Sequence, residues 1–245
     1  MKDQSPSSQT HGQGTEPMYK RMVLLARNAD YDPAKFRRHW STSHADIIRT
    51  IISSYPEAHR IRYTQNRVDE ILWRQPLSSE GFDVDGIVEL HLTAKTPPKE
   101  AFSSGAVAMM LEDEFRFLRG LTECIVGHEG DDAHGGAGRK IIVIAAKTAE
   151  ATESEFATAV RRAFARDATA AHGVRQACLN WTTATSVREG LLHEPVPPTV
   201  LAELWVEGID LAGQLSDFRL CLDALTVKHA AYCVDALHIP LERAV

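Results

Sequence analysis

The sequence has no long apolar run and no excess of positive charge. None of its hydrophobic stretches approaches the ~18 residues that a bilayer-spanning helix needs, so we expect no membrane association. Lys and Arg number 27 against 33 Asp and Glu, which gives a formal net charge of −6. Proteins that bind nucleic acid neutralise phosphates with a basic surface, so this balance argues against a nucleic-acid partner.

Cysteine pairs and cofactor motifs are also missing. The four cysteines form no CxxC pair and no zinc-finger spacing, which is typical of reduced thiols in a cytoplasmic protein. The first 17 residues lack the apolar segment of a secretory signal, which agrees with that location. The 11 histidines form neither HExxH nor HxH, so we expect no metal site. GxGxxG after a strand, GxxxxGK[ST] and GxSxG are absent as well, and we expect no tightly bound cofactor.

The remaining composition is that of a globular chain, with 44% apolar and 24% charged residues. Residues 1–17 are mostly Ser, Gln, Gly and Thr, which predicts a disordered tail. Residues 18–127 predict strands and helices in the order β-α-β-β-α-β, which is the ferredoxin-like unit. The Gly- and Asp-rich residues 128–139 predict a linker, and residues 140–245 predict the same order again, as a second, degenerate repeat.

Four pairs of anchors support a duplication. They are Lys20 with Lys140, Phe36 with Phe156, residues 88–92 (VELHL) with 202–206 (AELWV), and residues 114–118 (EFRFL) with 217–221 (DFRLC). A ferredoxin-like unit covers only one face of its sheet with helices, so the other face must be buried by a second sheet. The sequence therefore predicts an α+β fold in which two tandem ferredoxin-like repeats pack sheet to sheet as a pseudo-two-fold barrel.

The first helix is predicted to begin at Asp32-Pro33 and to carry one apolar stripe. Phe36, Trp40, His44, Ile47 and Ile51 follow at spacings of 4, 4, 3 and 4, so they share a helix face that points at the sheet. A buried histidine needs a hydrogen-bond partner or a cavity. His44 is therefore either a satisfied core residue or the polar group of a site.

The pattern Phe36-x-x-x-Trp40-x-x-x-His44, within FRRHWSTSHADII, resembles the EthD-type family of the dimeric α+β barrel superfamily. The resemblance covers roughly residues 18–130. In the second half Phe156 is kept, but Val160 and Phe164 stand in place of the tryptophan and the histidine, so a site based on this motif would exist once per chain. The resemblance implies the barrel fold and the pairing of two units. It implies activity only loosely, because EthD-like proteins include accessory proteins as well as lactone isomerases, dehydratases and decarboxylases.

Three further residues are candidates for substrate binding beside Trp40. Glu89 and His91 alternate with apolar residues on their strand, which predicts that both point between the two sheets. Glu89 and its counterpart Glu203 are either an acid/base pair or buried charges paired with arginines across the barrel, namely Arg27, Arg62 and Arg175. Tyr63, on the second strand, is either a hydroxyl that reaches the pocket or a core aromatic residue.

Two functions fit these residues. The first is a cofactor-independent isomerase or lyase that acts on a small aromatic-derived or lactone-like metabolite, with His44 as acid/base and with Trp40, Tyr63, Glu89 and His91 around the substrate. The second is a non-catalytic ligand-binding or accessory protein of a catabolic pathway. Haem is a weaker third idea, for which the second half offers His172, His193 and His229. A homodimer through helices or edge strands is left open.

Overall fold

The computed structural model of the chain describes residues 19–53, 60–78, 80–92, 104–130, 138–170, 173–191, 194, 196–207 and 213–241. The predicted tail, residues 1–17, lies outside these ranges. Within them, no helix is both long and apolar enough to cross a membrane.

Eight antiparallel strands form one closed barrel. They are β1 (Tyr19–Arg27), β2 (Arg62–Gln75), β3 (Gly86–Leu92), β4 (Leu118–Gly130), β5 (Arg139–Lys147), β6 (Val174–Val187), β7 (Val200–Val206) and β8 (Thr226–Ile239). Their order around the barrel is β1-β3-β2-β8-β5-β7-β6-β4, and β4 pairs with β1 to close it. Closure gives every strand two neighbours.

The helices lie outside the barrel. They are α1 (Pro33–His39), a π-turn (Trp40–His44), α2 (Ala45–Ser53), α3 (Ser104–Phe117), α4 (Glu153–Ala170) and α5 (Ser216–Leu225), the last preceded by a 3-10 turn (Gly213–Leu215). The predicted start of the first helix is confirmed. Asp32 caps it by accepting a hydrogen bond from the Lys35 backbone N–H at 2.7 Å, and Pro33 takes the first helical position.

The α+β class is confirmed, and the two halves are joined more closely than stacked sheets would be. Each half contributes four neighbouring strands, in the order β4-β1-β3-β2 and β6-β7-β5-β8. The two sets then hydrogen-bond to each other through β2 with β8 and β4 with β6. This is feasible because those four strands have 13 or 14 residues while the other four have 7 or 9, and the extra length pairs across the halves.

The predicted linker is too long at both ends. His128, Glu129 and Gly130 continue β4 and pair with Asn180, Leu179 and Cys178 of β6, while β5 already begins at Arg139. Partner β6 supplies backbone donors and acceptors there, and these hold the glycine-containing end of β4 in the sheet. The middle of the predicted linker, residues 131–137, lies outside the described residues.

Strand pairing also corrects one of the predicted repeat anchors. Lys20 lies opposite Val126 and Lys140 lies opposite Val234, so equivalent positions in β4 and β8 are 108 residues apart. Helices α3 and α5 run directly into these strands, which makes Asp113 equivalent to Cys221. The predicted alignment of residues 114–118 with 217–221 is therefore wrong by five positions. Two short amphipathic helices resemble each other in several registers, and only the strands that follow them fix the right one.

Candidate functional site

The first helix contains one residue more than a regular α-helix would. Phe36 and Trp40 are fully buried as predicted, but the π-turn that begins at Trp40 widens the helix by one residue. Beyond it, Ala45 and Ile52 pack against the sheet, whereas Ile47 is only half-buried and does not join that cluster. The predicted stripe is thus correct at Phe36, Trp40, His44 and Ile51, which are all buried, and departs at Ile47.

His44, the last residue of the π-turn, contacts Asp113 of α3. The His44 Nδ1 atom lies 2.9 Å from Oδ2 of Asp113, and both side chains are about 7% exposed. The other oxygen of the same carboxylate, Oδ1, lies 2.9 Å from Nε2 of His39. Phe117 packs against both imidazole rings, with ring centres 4.9 and 5.0 Å away. One carboxylate therefore holds two histidines.

The Asp113 carboxylate fixes the tautomer of His44. Burial by itself works to raise the pKa of Asp113, but the hydrogen bond from His44 and the nearby His39 ring outweigh it and lower that pKa. An ionised carboxylate only accepts hydrogen bonds, so Nδ1 of His44 carries the proton that is donated to it. The other ring nitrogen, Nε2, lies on the opposite side of the ring from this hydrogen bond.

A second hydrogen-bonded group surrounds the hydroxyl of Tyr63. The Trp40 indole N–H donates to the Tyr63 oxygen at 3.2 Å, and the Gln65 side-chain amide donates to the same oxygen at 3.1 Å. The amide of Gln65 also donates to the Trp40 carbonyl at 2.8 Å, at the first residue of the π-turn. Burial raises the pKa of Tyr63 to about 12, so the hydroxyl keeps its proton at neutral pH.

The Trp40 ring fits only because β3 starts with a glycine. A Cβ atom at Gly86 would lie 2.4 Å from the indole ring, closer than any van der Waals contact permits. The indole is fully buried and is not among the residues that line the cavity described next. Trp40 was predicted to contact substrate, and the structure instead places it beneath Tyr63.

A cavity of about 310 Å³ lies between the sheet and the two helices α2 and α3. This volume is at the lower end of the ~300–1,000 Å³ typical of ligand pockets. Its walls are largely apolar, with Val23, Leu25, Val88 and Leu90 from the strands and Ile48, Ile52 and Met110 from the helices. His44 and Tyr63 both line it, so the structure brings together these two predicted site residues.

The charged groups of the cavity are paired with one another. Arg21 binds Glu123 at 2.6 Å, and Arg188 binds Glu114 at 2.9 Å. Burial raises the pKa of Glu114, although the Arg188 guanidinium acts against this. Arg188 follows β6, so the second half of the chain supplies part of the cavity wall of the first.

Glu89 and His91 lie on the other face of β3, inside the barrel, and do not meet His44. Their predicted inward direction is correct: both are buried there. The carboxylate of Glu89 binds Lys140 and lies 3.8 Å from Lys20, while Glu203 binds Lys20 and lies 2.7 Å from Lys140. These four residues form the barrel charge cluster.

The predicted arginine partners of the barrel carboxylates are wrong, because Lys20 and Lys140, the second residues of β1 and β5, take that place. Arg27 pairs instead with Asp85, and Arg175 pairs with Glu207 at the surface. Two asparagines complete the cluster in a matched way. Asn66 donates to Glu89 at 2.6 Å and Asn180 donates to Glu203 at 2.7 Å.

The pKa values in the barrel charge cluster follow from burial and from the two ammonium groups. Burial opposes ionisation of both carboxyls, but Lys140 and Lys20 hold the pKa of Glu203 well below its usual value. The pKa of Glu89 is raised by burial and by the neighbouring Glu203. Burial works to lower the pKa of Lys140, yet the two carboxylates outweigh it and raise that pKa.

Of the three histidines considered for haem, the structure describes only His229. Within the described residues, no group of three or more His, Cys, Asp or Glu side chains is placed to hold a metal ion. His229 is buried, with Nδ1 2.9 Å from the Thr226 hydroxyl and Nε2 3.3 Å from Asp223, and burial lowers its pKa. His172 and His193 lie outside the described residues.

Solved structures share this fold at low sequence identity. An anthrone oxidase-like protein superposes with a TM-score of 0.50 at 10% identity, covering 95% of this chain and 98% of its own. A protein of Lactobacillus acidophilus NCFM, provisionally named a monooxygenase, gives 0.48 at 10% identity over 91% and 96%. A protein provisionally named a chlorite dismutase gives 0.47 at 10% identity over 89% and 95%. No curated protein matches the chain in sequence.

The closed antiparallel barrel with its outer helices is an α+β barrel fold. Residues 28–119 match the model of the EthD domain. The resemblance carried by Phe36, Trp40 and His44 is thereby confirmed.

Sequence reasoning missed four residues of the site: His39, Gln65, Asp113 and Arg188. Asp113 and Arg188 are 69 and 144 residues from His44 along the chain, and no local pattern connects them. Gln65 had a detectable signal. It lies two residues after Tyr63, on the same strand face, where the alternation calls for an apolar residue.

Proposed function

We propose that this protein is a cofactor-independent proton-transfer enzyme, an isomerase or lyase, for a small and largely apolar metabolite that carries a carbonyl group. The observation that carries the proposal is the His44–Asp113 pair, 2.9 Å apart, beside an apolar cavity that Tyr63 also lines. A histidine base, a carboxylate that orients it and a protonated donor are the groups that such a reaction needs.

In the proposed reaction, Nε2 of His44 removes a proton from the carbon next to the carbonyl. The electron pair of that C–H bond forms the C=C bond of an enolate, and the negative charge moves to the carbonyl oxygen. Tyr63 donates a hydrogen bond to this oxygen, and the ionised Asp113 stabilises the imidazolium. The proton then returns to another carbon in an isomerisation, or to a departing hydroxyl in a dehydration.

The other predicted substrate-binding residues have different roles in this proposal. Trp40 acts through Tyr63, to which its indole donates. Glu89 and His91 belong to the barrel interior and do not take part. A small-molecule ligand therefore contacts Tyr63, His44 and the apolar walls.

The proposal is tested by following deuterium uptake from D₂O into bound β-tetralone, an enolisable bicyclic ketone, by proton NMR. We expect the protein to accelerate exchange at the carbon between ring and carbonyl. His44→Gln should lower this rate by roughly 10²–10⁴ while the ketone still binds. A matched control is His128→Gln, at an exposed position on β4, which should leave the rate unchanged.

The alternative is the non-catalytic ligand-binding or accessory protein, and the same experiment distinguishes it. Binding of the ketone without any acceleration of exchange, in the parent protein and in His44→Gln alike, would support the accessory role. Exchange that His44→Gln leaves intact would remove His44 from the mechanism.

We also propose that the two halves are tandem copies of a ferredoxin-like unit, with the domain boundary between Gly130 and Gly138. The matched barrel charge cluster supports this, since Lys20, Glu89 and Asn66 recur as Lys140, Glu203 and Asn180 at equivalent strand positions. Each half needs the other to complete the barrel, so residues 18–130 expressed alone should self-associate. A soluble monomer of that fragment would contradict the proposal. Homodimerisation of the whole chain stays a prediction, to be checked by light scattering.

A further inference from the structure

We infer that Gln65 forces Tyr63 to act as a hydrogen-bond donor, so that the cavity selects uncharged ligands that offer an acceptor oxygen. This inference rests on the proposed function in placing the ligand beside His44, and it goes further by naming the ligand class and the residue that sets it. The carrying observation is the pair of bonds from one Gln65 amide, to the Trp40 carbonyl at 2.8 Å and to the Tyr63 oxygen at 3.1 Å.

The orientation of the Gln65 amide follows from its neighbour. A backbone carbonyl can only accept a hydrogen bond, so the NH₂ group of Gln65 must face the Trp40 oxygen. The carbonyl belongs to the first residue of the π-turn, and the amide from β2 supplies it with a donor. Gln65 is fully buried, so water cannot exchange for either partner. The second hydrogen of the same NH₂ group is then directed at Tyr63.

The role of the Tyr63 hydroxyl as a hydrogen-bond donor follows from these contacts. The Trp40 indole N–H can only donate, and it occupies the Tyr63 oxygen together with the Gln65 amide. With two donors on its oxygen, the phenol has no acceptor role left, and its own proton must be donated elsewhere. In the part of the chain that the structure describes, no acceptor for this proton is recorded, and the Tyr63 side chain lines the cavity. The proton is therefore available to a ligand oxygen.

The charges around the cavity restrict the ligand further. Arg21 is paired with Glu123, Arg188 with Glu114, and Asp113 with two histidines. A charged ligand would lose its hydration on entering and would find each counter-charge already bound, which is costly in a mainly apolar cavity. A neutral ketone, lactone or similar carbonyl compound avoids this cost and satisfies Tyr63. Within the proposed function, this favours isomerisation or dehydration over decarboxylation of a carboxylate.

The test compares three bicyclic probes of one shape: β-tetralone, the hydrocarbon tetralin and tetralin carboxylate. Dissociation constants are measured by ligand-observed NMR. We expect the ketone to bind and the carboxylate to bind at least about 10-fold more weakly. Tyr63→Phe should weaken ketone binding roughly 10-fold and leave tetralin binding unchanged, because one net hydrogen bond is lost. Stronger binding of the carboxylate than of the ketone, or no binding of the ketone, would overturn the inference.

Two variants of Gln65 separate its effect on polarity from a merely structural one. In Gln65→Glu the carboxyl oxygen that takes the place of Nε2 can donate O–H to the Trp40 carbonyl and accept the Tyr63 proton, which removes that proton from the cavity. Ketone affinity should then fall as far as in Tyr63→Phe, and the double variant should lose no more. Gln65→Met removes the amide but captures no proton, so ketone affinity should stay within about 3-fold.

The controls keep the outcomes distinct. Leu179→Met, at the equivalent buried position of the second half, should change neither stability nor ketone binding appreciably. Equal losses of ketone affinity in Gln65→Glu and Gln65→Met, or a loss of tetralin binding in step, would show that Gln65 only supports packing and would overturn the inference. If the Gln65 pattern holds while His44→Gln leaves deuterium exchange unchanged, the ligand class stands and the proposed catalytic function fails.

Discussion

The two halves of the barrel share their strand order but differ in the side chains that lie between the sheet and the helices. Strand register makes Tyr63 equivalent to Ala177 and Gln65 equivalent to Leu179, each pair 114 residues apart, as Glu89 and Glu203 are. The hydrogen-bonded group of the first half is thus replaced by apolar side chains in the second. The second half also keeps a regular α4, with no π-turn between Glu153 and Ala170.

The two halves also differ in the helix that precedes their last strand, α3 in the first half and α5 in the second. Equivalent positions are occupied by Met110 and Asp113 in α3 and by Phe218 and Cys221 in α5. Phe218 is fully buried and packs edge to face on Phe164, with ring centres 5.3 Å apart. Aromatic volume therefore fills in the second half the space that is open as a cavity in the first. The second half is closely packed at these positions, whereas the first half has a cavity there that polar side chains partly line.

The barrel charge cluster shows the opposite behaviour, because there the halves are matched. The barrel charge cluster draws one lysine and one glutamate from each half, and each carboxylate is bound by an asparagine of its own half. Breaking a buried ion pair leaves a charge without compensation, so such residues can change only together. The residues between sheet and helices lack that constraint, which explains why the halves differ there while the barrel charge cluster is matched.

The largest expected effect tests the matched interior. Lys140→Met and Lys20→Met should each lower the free energy of unfolding by about 3–5 kcal/mol, because one buried carboxylate then loses its nearest ammonium group. Urea denaturation followed by circular dichroism measures this, with Lys35→Met as an exposed control expected within about 0.5 kcal/mol of the parent. A cost for one lysine that is several-fold larger than for the other would break the equivalence of the halves.

The next largest expected effect tests the difference in packing between α5 and α3. Phe218→Ala should cost about 3–5 kcal/mol, because it empties a fully packed position. Met110→Ala, at the equivalent position, should cost only about 1 kcal/mol, since Met110 is only partly buried and already lines the cavity. Thermal denaturation of both variants gives the comparison. Similar losses in the two would mean that the first half is as tightly packed as the second.

The smallest effect concerns acid stability and the first half alone. Asp113 has a lowered pKa, so its ionised form stabilises the folded protein above the unfolded pKa of about 3.8, and this stability is lost as the pH falls through the lowered value. Asp113→Asn should cost about 1–2 kcal/mol at pH 7, and the difference from the parent should disappear in acid. Urea midpoints at a series of pH values measure this, and a difference that persists in acid would contradict it.

The sequence could predict the elements that depend on short-range pattern. The helix start at Asp32-Pro33 and the alternation that turns Glu89 inward each depend on residues a few positions away. The correspondence of Lys20 and Lys140 follows from the similar local pattern of their two strands. The partners could not be found in this way. The predicted alignment of α3 with α5 was out of register by five positions. Helical periodicity gives several nearly equal alignments, and only the pairing of β4 with β1 selects one.

By itself, the sequence determined the class of the fold, the EthD segment and the face on which most buried side chains lie, because 2- and 3.6-residue periods and helix caps are local properties. Only the tertiary structure decided that a π-turn carries His44 to Asp113, that Gln65 directs the Tyr63 proton, and that Glu89 and His91 lie on the far side of the sheet from the cavity. The reason is physical: each of these depends on contacts between segments that become neighbours only when the barrel closes.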